Sequence, residues 1–271
     1  MRKPLWALAA AALVSAAVLA AMPRIPQEPG YHQFADTRTV LGVHNGCNVL
    51  SNLAFAVVGL TGIVLLVRRG RALRDPRERW PWGVFFAAVS LTCFGSAWYH
   101  LVPSNASLVW DRLPMAVGFM ALLSALITER IDARVGLWLL APLVLLGVAG
   151  VLSWDVSERA GAGDLRLYAF VQFFPLVAIP LVLALTPRTY GDSWVYLVGL
   201  GTYALAKVAE VNDAAIYEGL GGLVSGHTLK HLIVAAAVGV LVWAMAVRVR
   251  GTGTVPTETV SPSGAPRASV R

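Results

Sequence analysis

The stretch GSAWYHLVPSNASLVWD, residues 95–111, decides how this chain is read. Apolar sequence runs into it from about residue 82 and away from it to about residue 127. Ser96, His100 and Asp111 stand where these two segments meet. A hydrocarbon interior penalises such groups, so they are functional candidates by default.

The composition around this stretch is that of a membrane protein. Of 271 residues, 57% are hydrophobic and 14% charged, with a mean hydropathy of +0.65; a soluble domain is nearer about 25% charged. Apolar runs close to the about 20 residues that span a bilayer occupy residues 5–22, 47–67, 82–101, 108–128, 135–153, 167–186, 192–209 and 228–247. The runs lack the short alternation of barrel strands. The expected fold is therefore all-α, a polytopic transmembrane bundle with a seven-helix core over 34–247. One hydrophobic segment precedes it, 1–23, read as a signal peptide or an extra transmembrane anchor. Residues 248–271, rich in Thr, Ser, Pro and Gly, read as a disordered tail. Cys47 and Cys93 form neither a CxxC pair nor a disulfide framework.

The net charge of +7 invites a nucleic-acid reading, but the arginines lie in short loops. Residues 68–79, RRGRALRDPRER, hold six of them; Arg130, Arg134, Arg188, Arg248 and Arg250 mark the loops and the end on the same side. The opposite connections, at LVPSNAS and between Glu210 and Gly226, carry no positive charge, and only WDVSERAGAGDLR, 154–166, runs against the pattern. The positive-inside rule then puts the carboxyl terminus in the cytoplasm of a cell bounded by this plasma or inner membrane, and residues 95–111 on the extracytoplasmic side. No nucleic-acid partner is expected, and nothing implies an obligate protein partner.

Ser96 and His100 are four apart and share a helix face. Asp111 begins the next run at the same depth. At SGHTLKHL, His227 and His231 repeat the spacing of four at the same end of the last run. Three histidines and an aspartate from three helices suit a zinc ion, which in catalytic sites takes three protein ligands and leaves one position open. Such an ion polarises carbonyls and acidifies water. Asp111 is placed to serve as a base and Ser96 to donate to an oxyanion. Haem fits less well, because His227 and His231 lie on one helix face.

Other polar groups read two ways. Asn48, Ser51 and Asn52 are either interhelical hydrogen-bonding groups or supports for the metal ligands. Lys207, Glu210 and Asp213 are either an interfacial ion pair or contacts to a lipid headgroup. His44 sits on the site side as an interfacial residue or a spare ligand, and His32 has no evident partner.

The set Ser96-Ala-Trp-Tyr-His100, then Asp111, then His227-Thr-Leu-Lys-His231 resembles the pattern of the CREST superfamily of seven-helix membrane hydrolases, which includes alkaline ceramidases and the progestin and adiponectin receptors. The segment NVLSNLAFAVVG, 48–59, looks most like the ceramidase branch. The resemblance implies zinc on His100, His227 and His231, with Asp111 and Ser96 serving water and carbonyl. It also implies hydrolysis of the amide of a membrane lipid such as ceramide, entering from the bilayer. The alternative is a receptor with a structural zinc. A transporter is disfavoured, since no matched pair of broken helices is evident. The ceramidases' acid-rich calcium site is not matched: FADTRTVLGVHNGCN offers Asp36 without further acids, which leaves calcium doubtful.

Overall fold

The computed structural model describes residues 2–187, 190–191 and 193–251; the tail from 252 onward and Arg188 lie outside the described residues. Among the described residues ten α-helices follow in order: α1 (Arg2–Ala21), α2 (Gly46–Leu50), α3 (Leu53–Arg69), α4 (Arg79–Leu101), α5 (Asn105–Arg130), α6 (Ala133–Arg159), α7 (Arg166–Leu185), α8 (Trp194–Val211), α9 (Asp213–Gly219) and α10 (Gly226–Gly251). Among the described residues seven segments are long and apolar enough to cross a membrane, the N-terminal helix included. The remaining apolar run folds as α8, whose last turns carry Lys207 and Glu210. The core is thus α3 to α8 with α10, and α1 rests chiefly on α7.

Three expected segments differ in extent or continuity. The loop read as 154–166 is shorter, because α6 continues to Arg159, helped by the Arg159–Asp155 ion pair at the helical spacing of four. The first core run is broken. Asn52 Nδ2 donates to the Asn48 and Val49 carbonyls and Ser51 Oγ to the Asn48 carbonyl, so side chains satisfy backbone acceptors and separate α2 from α3. At the other end of the core, α10 runs on past the expected boundary at 247.

The bundle has two distinct ends. At one, Glu129 of α5 accepts from Arg248 of α10 and from Tyr196 of α8, and pairs with Arg130, so a buried acid fastens three helices. The Arg-rich segment lies there too, with Arg74 N donating to Tyr190 Oη. At the other end gather residues 22–45, the α4–α5 turn, the α6–α7 turn and the α8–α10 connection. Leu165 N donates to the Ile25 carbonyl, Asn105 Nδ2 to Glu158, and Arg38 to the Leu223 carbonyl. Between the ends the outer faces expose Leu60, Leu91, Phe94, Leu145 and Leu197, while Trp82, Phe86, Met120 and Trp154 fill the centre.

One close approach sets the position of the opening stretch. Gly95 on α4 faces the Trp110 carbonyl of α5, and a Cβ at Gly95 would lie 2.0 Å from that oxygen. A capping box between Ser104 and Ser107 then starts α5. The obstacle is backbone, which cannot swing aside, so Gly95→Ala should force the two helices apart at a cost of about 1–3 kcal/mol. The variant is expected to melt earlier than wild type in detergent; an unchanged thermal midpoint would contradict this packing.

Candidate metal centre

His100 ends α4, whereas His227 and His231 occupy the first two turns of α10. The start of α10 is fixed twice. Ser225 Oγ accepts from Thr228 N, and Asp213 Oδ1 accepts from His227 N at 2.7 Å. Gly226 also lets α10 close on α8, since a Cβ there would lie 2.1 Å from the Ala209 carbonyl. The three rings consequently meet, with centroids 4.8 Å apart for His100–His227 and 5.0 Å for each of the other pairs. A ligand nitrogen of each lies within 4.8 Å of the other two.

All three histidines are buried, and their nitrogens are underused. Both nitrogens of His100 and Nε2 of His227 have no hydrogen-bond partner. A buried polar atom left unpaired costs about 1–3 kcal/mol, so three in one place need an explanation. A cation supplies one, and neutral imidazole nitrogens are the donors that zinc takes. His231 is held differently: its Nδ1 lies 2.8 Å from Ser51 Oγ. Ser51 gives its own proton to the Asn48 carbonyl, so it accepts from Nδ1–H. That tautomer leaves the lone pair on Nε2 for a ligand, the outer-sphere arrangement usual for a metal-ligating histidine.

Of the other expected residues, Ser96 and Asp111 lie together. Both are buried, the serine hydroxyl interacts with the carboxyl, and both line the cavity that also reaches His231. Asn48 Oδ1 accepts from Thr228 and Ser225, joining α2 to α10, the Asn48 backbone also interacts with His231, and Asn52 holds the break described above. Lys207 pairs with Glu210, as does Lys230 at 2.8 Å, and all three line the cavity. Asp213 does not join that network; its oxygens take His227 N and Ala35 N. His44 is exposed and outside the histidine group.

Several site residues were not legible. Phe34 packs its ring against His100 at 4.7 Å and His227 at 5.0 Å, covering the trio from the segment before α2. His32 has partners after all, Tyr99 Oη and Asn105 Oδ1. Asp36 is taken up by Arg38, whose hydrogen bonds to both carboxylate oxygens hold its pKa below the usual carboxylate range. Those oxygens therefore serve an internal ion pair rather than a cation. Segments without helical period give no sequence signal of this kind. Arg112 could have been found, as an ionisable residue within an apolar helix.

Against His231, alone of the three histidines, lies a cavity of about 410 Å³. Its polar end holds His231, Asp111, Ser96 and the Lys207–Glu210–Lys230 cluster, and its depth is lined by side chains such as Phe85, Leu122, Ile179 and Leu241. Fold and site together define a polytopic helical membrane protein with a buried three-histidine group able to hold a metal ion at the head of an apolar cavity. Comparison with protein-family models and with curated proteins returns no match.

Proposed function

We propose that the chain is a zinc-dependent integral-membrane hydrolase that cleaves the amide of a lipid such as ceramide, as its resemblance to the ceramidase branch implies. One observation carries the reading. The three-histidine group, with unpartnered nitrogens on His100 and His227, reaches a long apolar cavity through His231, and Ser96 and Asp111 line that same cavity. Receptor packing alone does not call for a base and a hydroxyl at that point.

His100, His227 and His231 would hold the zinc, with Ser51 fixing the His231 tautomer. Zinc bound there supplies Lewis acidity toward the carbonyl and a water acidified to about pKa 7. Asp111 takes the proton of the attacking water on its carboxylate and passes it to the leaving nitrogen. Ser96 donates its hydroxyl proton to the carbonyl oxygen as charge develops there. Phe34 shields the trio from bulk water. The acyl chain lies in the apolar depth. Its route is lateral: α7 rests on α1, α5 and α6, and α8 rests on α10, while α7 and α8 touch little. Both line the cavity, and Gln172 Nε2 to Tyr203 Oη is a cross-tie between them. The charge pattern of the loops supports an extracytoplasmic position for this end.

The test is fatty-acid release from a panel of N-acyl lipids by the purified protein, before and after exhaustive chelation. Turnover should vanish with the metal and return with zinc. Chelation-resistant hydrolysis, or no hydrolysis of any member by zinc-loaded protein, would refute the reading.

A further inference from the structure

Next to Asp111 on α5, Arg112 lines the same cavity and is only 5% exposed. A guanidinium so placed usually has a carboxylate partner. Here none of the ion pairs among the described residues includes Arg112. Its Nη2 donates to Gln27 Oε1 at 2.6 Å, and its Nη1 is buried with no partner. Three rings surround the charge: Trp154 at 4.2 Å, Tyr168 at 4.8 Å and Tyr31 at 5.6 Å from the ring centroids. Such a cage stabilises the cation and strips it of water; the Tyr31 hydroxyl also interacts with the guanidinium, but Nη1 stays without a partner. The wider polar end points the same way, since Arg112, Lys207 and Lys230 outnumber Asp111 and Glu210 among the charged lining residues.

We infer that Arg112 is a specificity-determining contact for an anionic oxygen group, carboxylate or phosphate, on the amine side of the N-acyl lipid. A lipid whose acyl chain fills the apolar depth and whose amide meets Asp111 and Ser96 brings its headgroup beside Arg112, one residue along α5. The free Nη1 completes its hydrogen bonding on that anion, and a charge-assisted bond in a dry site discriminates strongly. This inference rests on the hydrolase reading for the placement of the amide, though the anion contact itself needs no turnover.

The test is equilibrium binding by native mass spectrometry of chelated full-length protein in detergent, using three lipids with one acyl chain: N-palmitoylglycine, an N-palmitoyl phosphoethanolamine and neutral N-palmitoylethanolamine. Wild type should prefer at least one anionic lipid over the neutral one by about 10- to 100-fold, the range of a hydrogen bond to a charged group, and which one it prefers separates carboxylate from phosphate. Arg112→Gln should erase the preference while neutral binding persists; Arg112→Lys should retain part of it. No preference in wild type, or an undiminished preference in Arg112→Gln, overturns the inference. So does equal loss of all three lipids in both variants, which would mark a purely structural arginine. Hydrolysis of the same lipids by zinc-loaded protein separates the two readings. Preference without cleavage of any lipid refutes the hydrolase alone, and cleavage without preference refutes the anion contact alone.

Discussion

Protein purified from membranes should contain about one zinc per chain, and the His227→Ala/His231→Ala variant less than about a tenth of that, measured by elemental mass spectrometry. The expectation follows from counting ligands. A site with three protein nitrogens leaves a position open for water; removing both donors of α10 leaves His100 alone, and one imidazole does not retain the ion. The variant should still fold, because Ser225, Asp213 and Gly226 fix the start of α10 without the imidazoles. Removing the rings also relieves the burial of nitrogens that lack partners. Without zinc the double variant should be at least as stable as wild type, which differential scanning of chelated wild type and variant would show as an equal or higher midpoint. Wild type without zinc, even after zinc is supplied, would sink both the metal centre and the proposed hydrolysis. Zinc that is bound, lost in the variant and accompanied by no turnover would move the protein to the structural-zinc receptor reading.

The spacing of four is why the three-histidine group was visible in the sequence. His227 and His231 had to share a face on any helix, and the turn between two apolar runs was expected to bring Asp111 level with His100. Those inferences need only helical geometry and membrane depth. The break between α2 and α3 needs more. Ser51 and Asn52 are polar in an apolar run, which is equally compatible with a continuous helix; only the structure shows them bonding to carbonyls of α2. The same ambiguity surrounded Ser51, whose contact with His231 crosses 180 residues of sequence. Phe34 lies in a segment with no periodicity, so nothing local tied it to the histidines. Arg112 differs from these. Its charge within α5 was plain, but next to Asp111 it reads as a partner for that acid, and only the ring cage and the orphaned Nη1 separate the two.

Asp111→Asn should lower kcat about 10²- to 10⁴-fold, the usual contribution of a positioned general base, with zinc content and KM near those of wild type. The amide keeps the size of the carboxyl and can still meet the Ser96 hydroxyl, so the cavity wall is preserved while the proton acceptor is lost. A loss confined to kcat is the mark of an interaction made in the transition state. Ser96→Ala should cost less if its hydroxyl only assists the oxyanion, and the two effects should not add, because the groups touch. A structural aspartate would give a different pattern, with lower yield, lower thermal midpoint and partial zinc loss together. Should Asp111→Asn retain turnover within about tenfold of wild type, the base must be sought elsewhere. Glu210 is the other carboxylate lining the cavity, yet it is bound by both Lys207 and Lys230. Two cations on one acid weaken it as a base, so Glu210 would have to shed a lysine before accepting a proton. Asp111 feels the charges of Lys230 and Arg112 but forms none of the ion pairs described, and that difference is why the proton is assigned to it.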